Sequence, residues 1–458
     1  MSQVQAVVLA AGKGTRMKSA LPKVLHKILG KPMVQYVLDS CCEIGVDKPI
    51  LVIGHGAQQV KETIGDQAHY VIQAEQLGTG HAVLQAEALL RDFAGDVLVV
   101  CGDTPLLQGN TLAALLGRHR KQKASATVLT ALMENPTGYG RIVRDQANRV
   151  SKIVEHKDAT EQEKAIKEVN TGTYCFAAGQ LLAALRGLTP NNAQGEYYLT
   201  DVLEILNQAG KNVEGFVVGD AEETMGINDR AQLAVAARKI QARTNLRYML
   251  AGVTLTDPAT TYIEPGVIVG EDTIVQPNTH LQGKTAIGSG CTIGPNTRIV
   301  DSSIAEGVDI QFSVVLESVI GKECTIGPYA YLRPGTVLDS KVKVGDFVEI
   351  KKSHIGAGSK VPHLSYVGDA TVGTGVNIGA GTITCNYDGL HKYPTVIKDA
   401  AFIGSNTNLV APVQVGEGAV IAAGSTITSD VPEAALGVAR GRQRNILRWA
   451  KNRQEKQE

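Results

Sequence analysis

Two groups of residues in this 458-residue chain have types and spacings suited to chemistry. The first is the string Leu9, Ala10, Ala11, Gly12, Lys13, Gly14, Thr15, Arg16, Met17, followed by Leu21, Pro22 and Lys23. A glycine-rich loop directly after an apolar run exposes backbone N–H groups that can hold an anion. Position 17 is methionine, so a Gly-x-Gly-x-x-Gly dinucleotide pattern fails, and the Gly-x4-Gly-Lys-Ser/Thr pattern of a P-loop is absent. What remains is a phosphate loop with two nearby cations, Arg16 and Lys23, an arrangement suited to charge that develops on a triphosphate. A tight strand–loop turn would account for Gly12 and Gly14 taken alone. Asp103 follows the apolar run Val97–Val100 through Cys101 and Gly102. A carboxylate just past the C-terminal end of a strand stands where parallel sheets bind ligands, and its hard oxygens suit Mg2+. The plainer alternative is an N-cap for the segment after Pro105.

The second group lies beyond residue 330: Arg333, Lys351, His363, Tyr366, Asn377, the pair Asn386 and Tyr387, and Ser405. Transfer of an acyl group to an amine requires the ammonium to lose a proton, and a histidine is suited to that as base near neutral pH. Arg333 and Lys351 have the chemistry to clamp a sugar phosphate, with Tyr366 and Asn377 orienting the sugar. A lone His363 would read as a solvated corner residue; the combination favours the base.

The elements that must carry these groups change character near residue 228. Before it, the runs Val4–Leu9, Pro49–Ile53, Tyr70–Ile72, Asp96–Cys101 and Ala126–Ala131 read as strands, alternating with amphipathic stretches such as Met33–Ile44 and His81–Leu90. This alternation predicts a mostly parallel, Rossmann-like α/β domain with helices on both faces. Asn228–Leu250 reads as one long helix, with Leu233, Ala237, Ile240, Thr244 and Tyr248 on one side and Gly252 as C-cap. From Ile263 to Ile427 an aliphatic residue then returns every six positions, as in Ile263, Val269, Val275, Leu281, Ile287, Ile293 and Ile299. Such hexads are a parallel β-helix signature, and three per coil gives roughly nine coils. The phase is lost between Ile299 and Ile320. Steps of five occur at Ile350–Ile355 and Val367–Val372, and Thr384–Thr395 interrupts the repeat as a loop. The second chemical group clusters at the slips after Ile350 and in that loop. The expected division is residues 1–227, a linker helix 228–252 and a β-helix 253–458. The last part carries a basic tail of Arg440, Arg442, Arg444, Arg448, Lys451, Arg453 and Lys456, with the single tryptophan, Trp449.

The first string, with Gln73 and the glycine-rich segment Gly78, Thr79, Gly80, His81, resembles the sugar-nucleotide pyrophosphorylases. The plain alternative for that second segment is a strand-to-helix turn with Thr79 as N-cap. The resemblance implies that Leu9, Ala10, Ala11, Gly12, Gly14, Lys23, Gln73, Gly78, Thr79, Cys101 and Gly102 line a UTP site, with Gln73–His81 reading the uracil. It implies that Asp103 and Asn228 hold Mg2+, and that Gly140, Glu155 and Asn170 hold the sugar. Cys101 departs from the pattern, because relatives often carry an aromatic there. Over residues 3 to 440 the chain resembles the bacterial bifunctional N-acetylglucosamine-1-phosphate uridylyltransferase/glucosamine-1-phosphate acetyltransferase family, most specifically in Asn377–Gly389. That implies a left-handed β-helix in which Arg333, Lys351, Tyr366 and Asn377 bind glucosamine 1-phosphate and His363 is the base. It implies that Ala380, Asn386, Tyr387, Ser405, Ala423 and Arg440 line an acetyl-CoA site. It also implies a cytoplasmic homotrimer feeding peptidoglycan and lipopolysaccharide precursors.

Composition limits other readings. Lys plus Arg equals Asp plus Glu at 45 each, so no global charge points to nucleic acid. The apolar runs are strand-length, short of the ~18 residues of a membrane helix, which argues against membrane insertion. Seven unpaired-looking cysteines suggest reduced thiols rather than a zinc site or disulfide framework. Two rivals stand beside the bifunctional reading: a pyrophosphorylase whose β-helix only assembles it, and a non-catalytic scaffold that binds a nucleotide sugar.

Overall fold

The computed structural model describes residues 3–454. Lys456 and the expected domain limits at 1 and 458 lie outside the described residues. The chain separates into two compact units between Ile240 and Gln241, within the helix Arg230–Leu250.

The sheet of the first unit runs in spatial order Val213–Val217, Ala126–Leu132, Glu168–Ala177, Asp96–Cys101, Val4–Ala10, Ile50–Ile53, His69–Ile72. All neighbours pair parallel except Glu168–Ala177, which opposes both of its neighbours. Val7, Val52, Val97 and Val99 belong to one apolar core, whereas Val8, Leu51, Leu98 and Val100 belong to another. That period-two split is what a sheet with a core on each face produces. The five expected strands are present to within one residue at each end. The expected helix His81–Leu90 is two pieces, Thr79–Leu84 and Glu87–Leu90. Between them the backbone tightens to i→i+3 bonds, Gln85 N–H to Ala82 O and Ala86 N–H to Val83 O, while the Gln85 amide also donates to His81 O. A hairpin, Arg141–Arg144 with Val150–Val154, attaches to the sheet through Arg141 and Val169.

The second unit is a parallel β-helix of three sheets with eleven, ten and nine strands, so it makes about ten coils where the sequence count gives roughly nine. Ile263 pairs with Leu281 and Leu281 with Ile299, a coil of 18 residues. The lost phase after Ile299 resolves into shortened corners: Ile299 pairs with Val315, Ile304 with Ile320 and Ile310 with Ile326, a coil of 16. The hexad aliphatics fill the interior; Leu281, Ile293, Ile350 and Ile403 are fully buried. Two positions earlier sits a second, smaller buried residue, such as Thr261, Thr279, Cys291 or Ser365. Hydroxyls there donate to corner carbonyls, as Thr279 Oγ1 does to Gln276 O at 2.7 Å and Ser365 Oγ to His363 O at 2.8 Å, while Thr395 Oγ1 has no partner among the described residues. The helix Arg230–Leu250 ends beside Gly252, in the left-handed region at φ 88°. Its last turns close the first coil: Gln241 donates to Thr261 O, Asn245 to Pro258 O and the Tyr248 hydroxyl to Val267 O.

Candidate active sites

In the first unit, the strands Val4–Ala10 and Asp96–Cys101 pair through Leu9 and Cys101, so their C-terminal ends deliver the glycine loop and Asp103 side by side. The Gly102 N–H donates to Leu9 O at 2.9 Å. Gly14 is left-handed at φ 59°, and a Cβ there would lie 2.5 Å from Lys23 Cβ. The loop therefore packs directly on the lysine. Lys23 Nζ donates to Asp103 Oδ2 at 2.5 Å and to Asn228 Oδ1 at 2.7 Å. Asn228 is set in place by its N–H to Gln232 Oε1 and by the bond from Ile227 N–H to Asp103 O. Asp103 is not an N-cap, because the next helix begins at Gly109 after Gln108. Arg16 is exposed and makes no ion pair among the described residues, so the structure brings Lys23, not Arg16, to Asp103.

A cavity of about 260 Å3 opens beside this cluster, lined by Leu9, Ala11, Gly12, Gln73, Gly78, Thr79, Cys101 and Asp103, with Gln76 and Glu196 in addition. Ala10 and Gly102 are not in its lining. Gln73 donates to Gly78 O, and Gln76 to Ala11 O at 2.7 Å, which ties the second glycine segment to the first. Thr79 is not a cap either; its hydroxyl accepts from Leu199 N–H. A Cβ on Gly140 would meet Glu155 Oε1 at 3.4 Å and Asn170 Cβ at 3.5 Å, so these three residues converge on one wall. Burial holds the Glu155 carboxyl above its usual range. Cys101 donates to Gly172 O at 3.6 Å, and burial together with Asp103 pushes its thiol up to about 12. Position 101 therefore packs against Gly172 at the edge of the cavity.

Asp201, whose charge acts on Glu155, is itself pushed up to about 6 by burial, Glu204 and Asp158. A carboxyl raised above its unfolded value near 3.9 destabilises the fold as pH rises from about 4 to about 6, and continues to do so above that. Asp201→Asn should raise the unfolding temperature at pH 8 and lose that advantage below about pH 4. Partial exposure to solvent limits the gain to about 1 kcal/mol. Thermal unfolding at pH 4 and pH 8 measures it, and an equal gain at both would remove the electrostatic cause.

Among the described residues no group of three or more His, Cys, Asp or Glu could hold a metal. Asp103 and Asn228 nonetheless direct one oxygen each at a single cation, the Lys23 ammonium. A pair of hard oxygens with the remaining positions left to phosphate and water fits Mg2+.

In the β-helix the candidate residues sit on consecutive coils. Asp346 is in register with His363, and Glu349 with Tyr366, on either side of corners at Phe347 and Leu364 that adopt left-handed φ. His363 Nδ1 meets Asp346 Oδ1 at 2.5 Å; the ring is 57% exposed, and Nε2 has no hydrogen-bond partner among the described residues. This hydrogen bond holds the Asp346 carboxyl below its usual range. Arg333 donates to Glu349 at 2.8 Å. Lys351 lies 3.6 Å from Asp369, which also accepts from Asn386 Nδ2 at 2.5 Å. Gly368 makes this packing possible, since a Cβ there would stand 2.9 Å from Asn386 Nδ2 and closer still to the Tyr366 ring. Lys392, on the Thr384–Thr395 loop, reaches Lys351, and the neighbouring like charge holds Lys392 below its usual value.

The edge at Phe347 and Leu364 continues on later coils as a stack of His363, Ala380, Ser405, Ala423 and Arg440. Gly381 N–H donates to His363 O, Asn406 N–H to Ala380 O, Gly424 N–H to Ser405 O and Arg440 Nη1 to Ala423 O. Asn377 is not brought to the Arg333–Lys351 group; it is in register with Lys360, near the opposite end of His363's strand. Tyr387 is exposed, its hydroxyl donating to Gly389 O within the loop. The sequence reading missed Asp346, Glu349, Asp369 and Lys392. The first three stand one coil away from His363, Tyr366 and Asn386, a spacing of 17 that the hexad ruler could have flagged.

Comparison with known proteins divides the chain in the same way. The nucleotidyl transferase family model matches residues 5–222, a GMPPB C-terminal domain model 263–348, and the bacterial transferase hexapeptide model 394–429. The fold and sites thus define a nucleotidyltransferase domain joined to a left-handed β-helix of the hexapeptide transferase class. The chain is 60% identical to the bifunctional protein GlmU of Heliobacterium modesticaldum over 442 residues, covering 96% of each. It is 56% identical to that of a Geobacillus species over 440 residues, 96% of each, and 52% to that of Brevibacillus brevis over 450 residues, 98% of each. The chain belongs to the bifunctional GlmU family. Among the described residues no helix is long and apolar enough to cross a membrane, and all seven cysteines are free.

Proposed function

We propose that this is a bifunctional enzyme of UDP-N-acetylglucosamine synthesis, with acetyl transfer to glucosamine 1-phosphate on the β-helix and uridylyl transfer from UTP in the α/β domain. The division follows residues 1–227 for uridylyl transfer, 228–252 as linker helix and 253–458 for acetyl transfer. The observation that carries the reading is the presence of two separate constellations, Lys23–Asp103–Asn228 and Asp346–His363 beside Arg333–Lys351, on two different folds.

At the β-helix, Arg333, Lys351 and Lys392 form a cationic cluster suited to the sugar phosphate, with Tyr366, Asn377 and Asn386 around the sugar. His363 Nε2 takes the proton from the amine, which attacks the thioester carbonyl of acetyl-CoA. The C–N bond forms, the C–S bond breaks, and the proton passes to the thiolate. Asp346 holds Nδ1 protonated, so that Nε2 is the basic nitrogen. The column Ala380, Ser405, Ala423 and Arg440, with Asn386 and Tyr387, supplies the acetyl-CoA wall. Asp346→Asn should then lower acetyl transfer at least tenfold by allowing the wrong tautomer. A rate profile against pH, with kcat and KM measured separately, checks this; a loss confined to KM would move Asp346 out of that role.

In the α/β domain, Gly12 and Gly14 offer backbone N–H groups to the triphosphate, with Lys23 and Arg16 as its cations. Gln73, Gly78 and Thr79 face the base, and Gly140, Glu155 and Asn170 the sugar. A phosphate oxygen of N-acetylglucosamine 1-phosphate attacks the α-phosphorus of UTP and pyrophosphate leaves, so no protein base is needed. Asp103 and Asn228 would hold Mg2+, which when bound neutralises charge on the phosphate oxygens.

A homotrimer completes the reading. Tyr329, Phe347 and Leu364 form an exposed apolar column along one corner of the β-helix, and Asn377 stands apart from the sugar-phosphate cluster within one chain, as a site shared between copies would require. The cytoplasm, where the substrates are made, is the expected compartment. Two assays separate the activities: thiol release from acetyl-CoA with glucosamine 1-phosphate, and pyrophosphate release from UTP with N-acetylglucosamine 1-phosphate. Absence of the first would leave a pyrophosphorylase with a structural β-helix.

A further inference from the structure

We propose that Lys23 is a built-in placeholder for the divalent cation: its ammonium holds Asp103 and Asn228 together while no nucleotide is bound, and moves to the triphosphate when metal and nucleotide arrive. This rests on the reading of Asp103 and Asn228 as the metal ligands.

Three observations carry it. The Lys23 ammonium is shared between the two oxygens, at 2.5 Å and 2.7 Å, so it occupies the point at which a bound ion would be held. The arrangement is enforced from both sides. Lys23 leaves the short turn Lys23–Leu25 behind Pro22 and packs on Gly14, while Asn228 is tied back by Gln232 and by Ile227 N–H on Asp103 O. Lys23 and Asp103 are also largely shielded, with side chains 12% and 26% exposed, so the pair excludes much of the water a hydrated ion would bring.

The bare site offers a metal poor terms. One ligand is a neutral amide, the one carboxylate is already neutralised, and no third His, Cys, Asp or Glu completes a cluster among the described residues. Mg2+ gives up water reluctantly and depends on phosphate oxygens to complete its shell. A triphosphate changes both sides of the exchange, by supplying those oxygens and by giving the ammonium another anion. The position of a Cβ on Gly12 has no atom within 4 Å, which leaves the loop open for that anion. The long, flexible lysine stem allows the shift without backbone movement. Metal and nucleotide should therefore bind cooperatively, and by linkage each raises the affinity of the other by the same factor.

The test is calorimetric titration of the full chain with Mn2+ and Mg2+, without nucleotide and then with a non-hydrolysable UTP analogue. Lys23→Met should bind metal at least tenfold more tightly than wild type without nucleotide, and the added change Asp103→Ala should erase that gain. Lys13→Met removes a charge from the same loop without touching the pair and should shift affinity less than threefold. If the methionine variant fails to fold, as read by thermal unfolding, Lys23→Gln takes its place. No gain for the Lys23 variant, or an equal gain for Lys13→Met, overturns the placeholder. Unchanged metal affinity of Asp103→Ala in the presence of the analogue overturns instead the metal-ligand reading beneath it.

Discussion

His363→Ala should lower acetyl transfer by about 100- to 10,000-fold, the usual contribution of a general base, while leaving uridylyl transfer within about twofold. The selectivity follows from placement. His363 is a corner residue, more than half exposed, whose side chain touches Asp346 and supports no core. Its removal leaves the buried ladder of Val344, Val361 and Ile378 intact, so folding should change by no more than a typical surface substitution. The uridylyl constellation belongs to the other compact unit. Parallel assays of thiol and pyrophosphate release on one preparation check this. Equal loss of both activities would contradict two independent sites.

Asp103→Ala should have the opposite selectivity, silencing uridylyl transfer on the order of 1,000-fold and sparing acetyl transfer. The carboxylate is the only charged partner that Lys23 meets among the described residues. Its loss removes the metal's anionic ligand and also frees the lysine from its fixed position. Asp103→Asn separates these two effects, because it keeps a hydrogen-bond acceptor but not the charge. If the asparagine variant retains most of the Mg2+-dependent turnover, Asp103 is a positioning residue rather than a metal ligand.

The fold was legible wherever a single period ran unbroken. The hexads from Ile263 to Ile299 give the β-helix directly, because each inward aliphatic must be replaced by another one hexad later. The five expected strands of the first unit are also legible, since parallel strands buried on both faces, such as Ile50–Ile53 and Asp96–Cys101, are continuous apolar runs. The region from Ile299 to Ile320 was not, because one-residue deletions at the corners keep the strands stacked while destroying the period. Those slips carry no candidate residue, so a slip is not in itself the mark of a site. The break at Gln85–Ala86 was hidden because it depends on a side-chain bond to His81 O and not on a breaker residue.

At the sites, glycines and cations at special spacings were visible, but their partners were not. Asp346, Glu349 and Asp369 look like ordinary surface acids until the coil places each beside a residue 17 positions later. Lys392 looks like part of a polar loop until the loop folds back on Lys351. Conversely, Arg16 and Lys23 read as equivalent cations in sequence, yet only Lys23 reaches Asp103, because the turn after Pro22 points it inward and the turn at Thr15–Met17 leaves Arg16 in solvent.

The most direct test is a mass-spectrometric assay of the purified chain with glucosamine 1-phosphate, acetyl-CoA, UTP and Mg2+, omitting each in turn. The expected result is UDP-N-acetylglucosamine from the complete mixture, N-acetylglucosamine 1-phosphate alone when UTP or Mg2+ is withheld, and neither product without acetyl-CoA. Formation of UDP-N-acetylglucosamine only when N-acetylglucosamine 1-phosphate is supplied ready-made, with no acetylated intermediate from the other mixtures, would contradict the two-site account.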